Sequence, residues 1–237
     1  MTQSFYFRQF QSGMDFAKSN PLAVQMVNFS YAFGDRQSGE ALLVDPAYDP
    51  QELVALVEAD GMRVVGAIAT HYHPDHVGGM LTGEHHIEGI EELLEQIDVP
   101  IHVQREEVEW VMARTSVGPG SLVAHQSGDL LSIGDFAATL IHTPGHSPGS
   151  QCVLVEGRLM SGDTLFLDGC GRTDLPGSDP EQMFETLSRR LAELPGEVIL
   201  FPGHRYSPDS SSPLAAVRER NFVLAPTTPE QWLAMFA

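Results

Sequence analysis

Lysine is almost missing from this chain: Lys18 stands alone, and 13 Lys and Arg together face 32 Asp and Glu, a formal charge of −19 over 237 residues. That balance argues against a surface that tracks nucleic-acid phosphates, because such surfaces answer the phosphates with clustered cations. The acidic excess reads as a solvated face. Cysteine is scarce too. Cys152 and Cys170 are the two present, and their spacing fits neither a zinc knuckle nor a CxxC redox pair, so a reducing compartment is expected. No apolar run is long enough to cross a bilayer. The opening MTQSFYFRQFQSGMDFAK lacks the apolar stretch of a signal peptide. A cytoplasmic protein is therefore expected, acting on a small molecule, with no nucleic-acid or membrane partner and an oligomeric state left open.

What is present suffices for a folded core, since 42% of residues are hydrophobic and Gly and Pro are moderate. One α/β domain over 1–237 is expected, with an inserted loop and helix around 78–100 and a short helical tail at 212–237. ALLVDP at 41–46 reads as a buried strand. Asp49, Pro50 and Glu52 then open a helix striped by Leu53, Val54, Leu56 and Val57, and VVGAIAT at 64–70 is a second buried strand. A strand–helix–strand order implies a parallel pair with functional residues at the carboxyl ends. From Asp129 to Met160 short strands broken by Gly134, Gly145 and Gly157 form a meander, so the sheets should be mixed. A second capped helix starts at Asp179 and carries Met183, Leu187, Leu191 and Leu194, and the strand Val198 to Phe201 follows it. Ser212-Pro213 and Thr228-Pro229 each open a short closing helix.

The chemistry is concentrated in Thr70-His71-Tyr72-His73-Pro74-Asp75-His76, which puts three imidazoles and a carboxylate just after a buried strand. In an extended backbone His71 and His73 project the same way and can share one cation, while Asp75 and His76 on the turn beyond can face another. His146 in HTPGHSPGS, Asp163 in SGDTLF and His204 in FPGHRYS each follow a strand-like segment and sit beside glycine. Glycine lets backbone approach an ion closely, and two imidazoles with one carboxylate would complete two coordination shells. Asp45, at a strand end, is a candidate partner for a ligand histidine. His102, His125 and His142 read as structural, and His85 and His86 as solvated loop residues.

HxHxDH, TPGH, SGDT and PGH, in that order between Leu43 and Tyr206, resemble the metallo-β-lactamase superfamily. The resemblance implies an αββα sandwich and two divalent metal ions, zinc in the first place with iron or manganese admitted. It implies His71, His73 and His146 as ligands of the first metal, Asp75, His76 and His204 as ligands of the second, and Asp163 bridging both. Antibiotic-hydrolysing dinuclear members usually carry Cys or Ser at that bridging position; glyoxalase II keeps the aspartate, as here. GCGRTD at 169–174 is similar to a segment shared by glyoxalase II-like hydrolases and persulfide dioxygenases, and Tyr206 matches a position that contacts glutathione in glyoxalase II. The basic C-terminal residues of glyoxalase II have no convincing counterpart here, where only Arg218 and Arg220 are available.

The implied activity is that of a metallo-hydrolase in which a metal-bridging hydroxide, oriented by Asp75, cleaves a small thioester or ester. A mononuclear-iron persulfide dioxygenase using His71, His146 and Asp163 is the alternative. Cys170 is expected to line the site without acting as nucleophile. Arg172 and Arg205 are the cations next to the motifs; Arg172 is expected to bind a substrate carboxylate, with Arg205 directed outward.

Overall fold

The computed structural model describes residues 4–83 and 85–235; the remaining positions, at both ends of the expected domain and within the expected insert, lie outside the described residues. The first half of the chain builds one sheet from β1 (Phe5–Gln11), β2 (Phe29–Asp35), β3 (Glu40–Val44), β4 (Arg63–Ile68), β7 (Ile101–Gln104) and β8 (Leu122–His125), in that spatial order. Between β4 and β7 lies a separate hairpin of β5 (Gly79–Thr82) and β6 (His85–Ile87). The second half builds a six-stranded sheet from β9 (Leu130–Ile133), β10 (Phe136–His142), β11 (Gln151–Val155), β12 (Arg158–Met160), β13 (Ile199–Phe201) and β14 (Ser212–Pro213). Both sheets are mixed: β3, β4, β7 and β8 pair in parallel, as do β12 and β13, and the other pairings are antiparallel.

Alternation sorts each strand between two cores. On β2, Phe29, Tyr31 and Phe33 face the second sheet and pack with Leu140, Val153 and Met160, whereas Ala32 faces the opposite way into the helical layer. Each large side chain buried in this way stabilises the fold by roughly 1.5–3 kcal/mol before entropy is counted. Outside the first sheet lie α1 (Pro21–Met26), α2 (Pro50–Ala59), α3 (Pro74–Val77), α4 (Ile90–Gln96) and α5 (Val108–Arg114). Outside the second lie α6 (Pro180–Glu185), α7 (Leu214–Arg220) and α8 (Pro229–Leu233), with Leu187, Val217 and Trp232 in their core. The result is the αββα sandwich that the motifs imply.

Most expected elements form where the local chemistry requires. The Asp49 side chain accepts from the Glu52 N–H, Asp179 from those of Glu181 and Gln182, and Thr228 from that of Gln231. Two expectations are corrected. The polar stretch after Gly78 is the β5–β6 hairpin, turning at Gly83, where a positive φ of 51° suits glycine. Ser212-Pro213 is not a helix opening but an edge strand, with α7 starting at Leu214 and no side-chain cap. Strands β1, β2 and β8 and helix α1 carried no expectation at all.

Candidate metal centre

The loops that leave the carboxyl ends of β4, β10, β12 and β13 converge between the two sheets, and each carries part of one cluster. His71 follows β4, Asp75 and His76 ride on α3, His146 lies between β10 and β11, Asp163 follows β12 and His204 follows β13. Two glycines make the convergence possible. Gly162 has φ +48°, and a Cβ there would meet Thr70 Oγ1 at 2.4 Å; a Cβ on Gly203 would stand 2.5 Å from Asp163 Oδ1.

All seven expected ligands come together. His71, His73 and His146 form one group whose donor atoms lie within 4.8 Å of one another; Asp75, His76 and His204 form another; Asp163 groups with His71 and His76. Asp163 spans the two. Its Oδ1 lies 3.3 Å from His76 Nε2 and 3.4 Å from His204 Nε2, while Oδ2 lies 3.6 Å from His146 Nε2.

The opposite edge of four of the imidazoles is anchored. His146 Nδ1–H donates to the Arg172 carbonyl at 2.7 Å and His204 Nδ1–H to the Met26 carbonyl at 2.8 Å, which leaves each Nε2 lone pair facing the cluster. Asp45 serves two more. Its Oδ2 takes His76 Nδ1 at 2.8 Å and the Thr70 hydroxyl at 2.6 Å, and that hydroxyl meets His71 Nδ1 at 3.0 Å. One carboxylate thus orients a histidine of each group, which upholds the expected partner role.

Divalent cations fit this donor set on two counts. His71 Nε2 is buried with no hydrogen-bond partner, an arrangement that is costly unless something electropositive meets it. His73 Nδ1 and His146 Nε2 face each other at 2.9 Å, as two nitrogens aimed at a shared ion would.

Electrostatics divides the site. Burial, reinforced by neighbouring imidazoles, depresses His71 well below the usual histidine range, drives His73 down to about 3, and lowers His146. Burial would also depress His76, but Asp163, Asp75 and Asp45 outweigh it and lift the group to about 10; His204 is raised likewise by Asp163 and Asp75. Burial works against ionising Asp75 and Asp163, yet the same histidines hold both carboxyls low. Cation binding at His76 must therefore displace a proton, and each pH unit upward relieves that competition. Affinity of the Asp75, His76 and His204 group should rise at least about tenfold per unit from pH 6 to 8, and about a hundredfold where His204 gives up its proton as well, whereas the His71, His73 and His146 group, already neutral, should stay nearly flat. Competition titrations with a chromophoric chelator would reveal this; equal slopes for both cations would contradict it.

Two further residues build the site without a motif to announce them. Asn28 donates from Nδ2 to the Asp75 carbonyl at 3.0 Å and to its Oδ2 at 3.1 Å, and accepts the Tyr48 hydroxyl at 3.0 Å. Glu107 is fully buried: Tyr72 N–H and the Ser147 hydroxyl donate to Oε1 at 2.7 and 2.6 Å, and Gly149 N–H donates to Oε2 at 2.6 Å. Burial pushes its carboxyl up to about 7 and the three donors pull it back. Glu107 thereby straps the His71–His73 segment to the His146 loop. Glu107→Ala would orphan those donors and open a cavity, at a cost of about 3 kcal/mol. A fall in Tm of roughly 6–12 °C is expected by circular dichroism; an unchanged Tm would mean the strap is dispensable.

A cavity of about 610 Å³ opens over the cluster, lined by Tyr72, Leu81, Phe166, Cys170, Leu175 and Tyr206 among others. Tyr206 stacks on the His204 ring, centroids 4.7 Å apart and planes 9° from parallel. Burial raises the Cys170 thiol to about 12, so it lines the wall as a protonated group. Arg172 also borders the cavity, its exposed guanidinium forked onto Asp174 with two 2.8 Å bonds. Arg205 turns outward to Gln11 and Pro208 as expected. Arg218 donates to the Leu191 and Leu194 carbonyls, away from the site.

A four-layer αββα sandwich with a His- and Asp-rich cluster between its sheets defines a class of metal-binding proteins. Residues 26–204 match the metallo-beta-lactamase superfamily, and the chain belongs to it. It is 28% identical over 195 residues to a probable polyketide biosynthesis zinc-dependent hydrolase, BaeB, of Bacillus velezensis, covering 82% of this chain and 80% of that one. It is 32% identical over 187 residues to the cytoplasmic hydroxyacylglutathione hydrolase of Arabidopsis thaliana, covering 76% of this chain and 64% of that one. Among solved structures it resembles ETHE1 from Myxococcus xanthus, with a TM-score of 0.77, 23% identity, and coverage of 97% and 89% of the two chains. No helix among the described residues is long and apolar enough to cross a membrane.

Proposed function

We propose that the protein is a metal-dependent hydrolase of a small thioester. The observation that carries this reading is Asp163, whose two oxygens face two separate histidine groups, the donor arrangement of a paired rather than a single cation site. In this reading His71, His73 and His146 hold one cation, Asp75, His76 and His204 the other, and Asp163 both. Bound there, the cations supply Lewis acidity that lowers the pKa of water and polarises a carbonyl.

The chain's own groups account for the rest. Asp75, kept ionised and fixed by Asn28, presents a carboxylate to the cavity that can accept the hydrogen bond of the attacking water and so orient it. Thiol Cys170 and phenol Tyr206, each pushed up to about 12, are poor proton donors to a leaving group at neutral pH. A thiolate leaves without needing one, which favours a thioester over an amide. The net charge of −19 disfavours polyanionic substrates.

The test pairs metal analysis of the isolated protein with two assays. Two equivalents of metal and thioester turnover, without oxygen uptake on glutathione persulfide, are expected. One iron with oxygen uptake and no thioester turnover would replace this reading by the dioxygenase.

A further inference from the structure

Two arginines border the cavity, and they differ in what holds them. Arg172 is closed on Asp174 at the surface. Arg114 is not paired with any carboxylate among the described residues. It ends α5, half-buried, with its guanidinium 5.6 Å from the Tyr72 ring centroid and Nη1 donating to the Met80 carbonyl at 3.0 Å. Its Nε is buried without an acceptor. The same cavity is lined by the apolar side chains of Leu81, Phe166, Leu175 and Pro176.

A guanidinium beside apolar walls, in a molecule with 32 acidic residues, would ordinarily find a carboxylate of its own. Here the neighbours supply a ring face and a carbonyl instead. Those contacts fix the fork in place while leaving charge and donors to be matched, and a carboxylate matches an arginine fork in two parallel bonds. The support is rigid as well. Tyr72 sits between His71 and His73, its backbone held by Glu107 and its hydroxyl by the Pro176 carbonyl at 2.8 Å, so Arg114 is stacked on the segment that carries two expected ligands.

We propose that Arg114 determines substrate specificity by binding a carboxylate at the end of the substrate away from the thioester, so that the substrate is a monoanion with an apolar middle. The proposal rests on the hydrolase reading for the word thioester; the carboxylate site itself does not depend on turnover. The apolar stretch between the two ends would pack along Leu81, Phe166 and Leu175.

The test is calorimetric titration of the metal-loaded protein with ω-mercaptocarboxylates of increasing chain length and with the matching ω-mercaptoalcohols, whose thiols can reach the cluster while only one series carries the charge. The wild type should prefer the carboxylate at one chain length by at least about tenfold, and Arg114→Met should erase that preference while still binding the alcohol. Arg114→Lys should keep part of it. If Arg114→Met binds neither series, its cavity has changed shape and Arg114→Gln decides by the same comparison. No preference in the wild type, or one that survives in Arg114→Met or Arg114→Gln, overturns the proposal. Intact preference in a protein that turns over no thioester would remove the hydrolase reading and leave the carboxylate site standing.

Discussion

Replacing Asp163 by alanine should cost a thioester hydrolase about a thousandfold in turnover, near 4 kcal/mol of transition-state stabilisation, and should leave the protein with one cation or none. The expectation follows from position. Asp163 is the carboxylate within 3.4 Å of both His76 and His204 that also reaches toward His146 at 3.6 Å. Without it each histidine group keeps its imidazoles but loses the anion that holds two positive centres together. A second readout needs no metal: Asp163 is the leading influence that raises His76, so in the metal-free variant the His76 ring should titrate at lower pH by NMR. Full metal content with full activity would show that Asp163 bridges nothing.

Removing His76 separates the two reaction classes more sharply. His76→Ala takes one ligand from the Asp75, His76 and His204 group and leaves His71, His146 and Asp163, the set a single iron would use, in place. A paired-cation hydrolase should fall by at least about a hundredfold, a single-iron dioxygenase far less. Because the ring is fully buried and its Nδ1 is held by Asp45 at 2.8 Å, the truncation also costs stability, on the order of 2–4 kcal/mol. Unfolding and metal content must therefore be measured on the same preparation. A folded His76→Ala protein that hydrolyses thioesters within a few-fold of wild type would end the two-cation mechanism.

The metal cluster was legible in the sequence because its residue types are rare together and because strand ends are readable from apolar runs that stop. Asp45 was legible for the same reason. Asn28 was not: it is one polar residue before a run of aromatics, and it reaches Asp75 and His204 only through the pairing that brings its segment beside the loop after β13. Glu107 carried no expectation, since nothing local reveals that Ser147 and Gly149 fold over it. Arg114 was missed by reasoning from neighbours. Cations were sought beside the ligand motifs, at Arg172 and Arg205, whereas Arg114, with no carboxylate partner among the described residues, borders the cavity from the end of α5. The β5–β6 hairpin escaped because strands so short carry too few alternations to separate from a polar loop.

Each candidate cation group draws on both halves of the chain, His71, His73, Asp75 and His76 from beyond the first sheet and His146, Asp163 and His204 from beyond the second. Cation binding and the docking of the two halves are therefore one thermodynamic equilibrium seen from two ends. A substitution at Phe33 or Val153, in the packing between the sheets, touches no ligand, yet it would register as weaker metal affinity. The apparent dissociation constant of the metal is in this sense a gauge of how firmly the sandwich is shut.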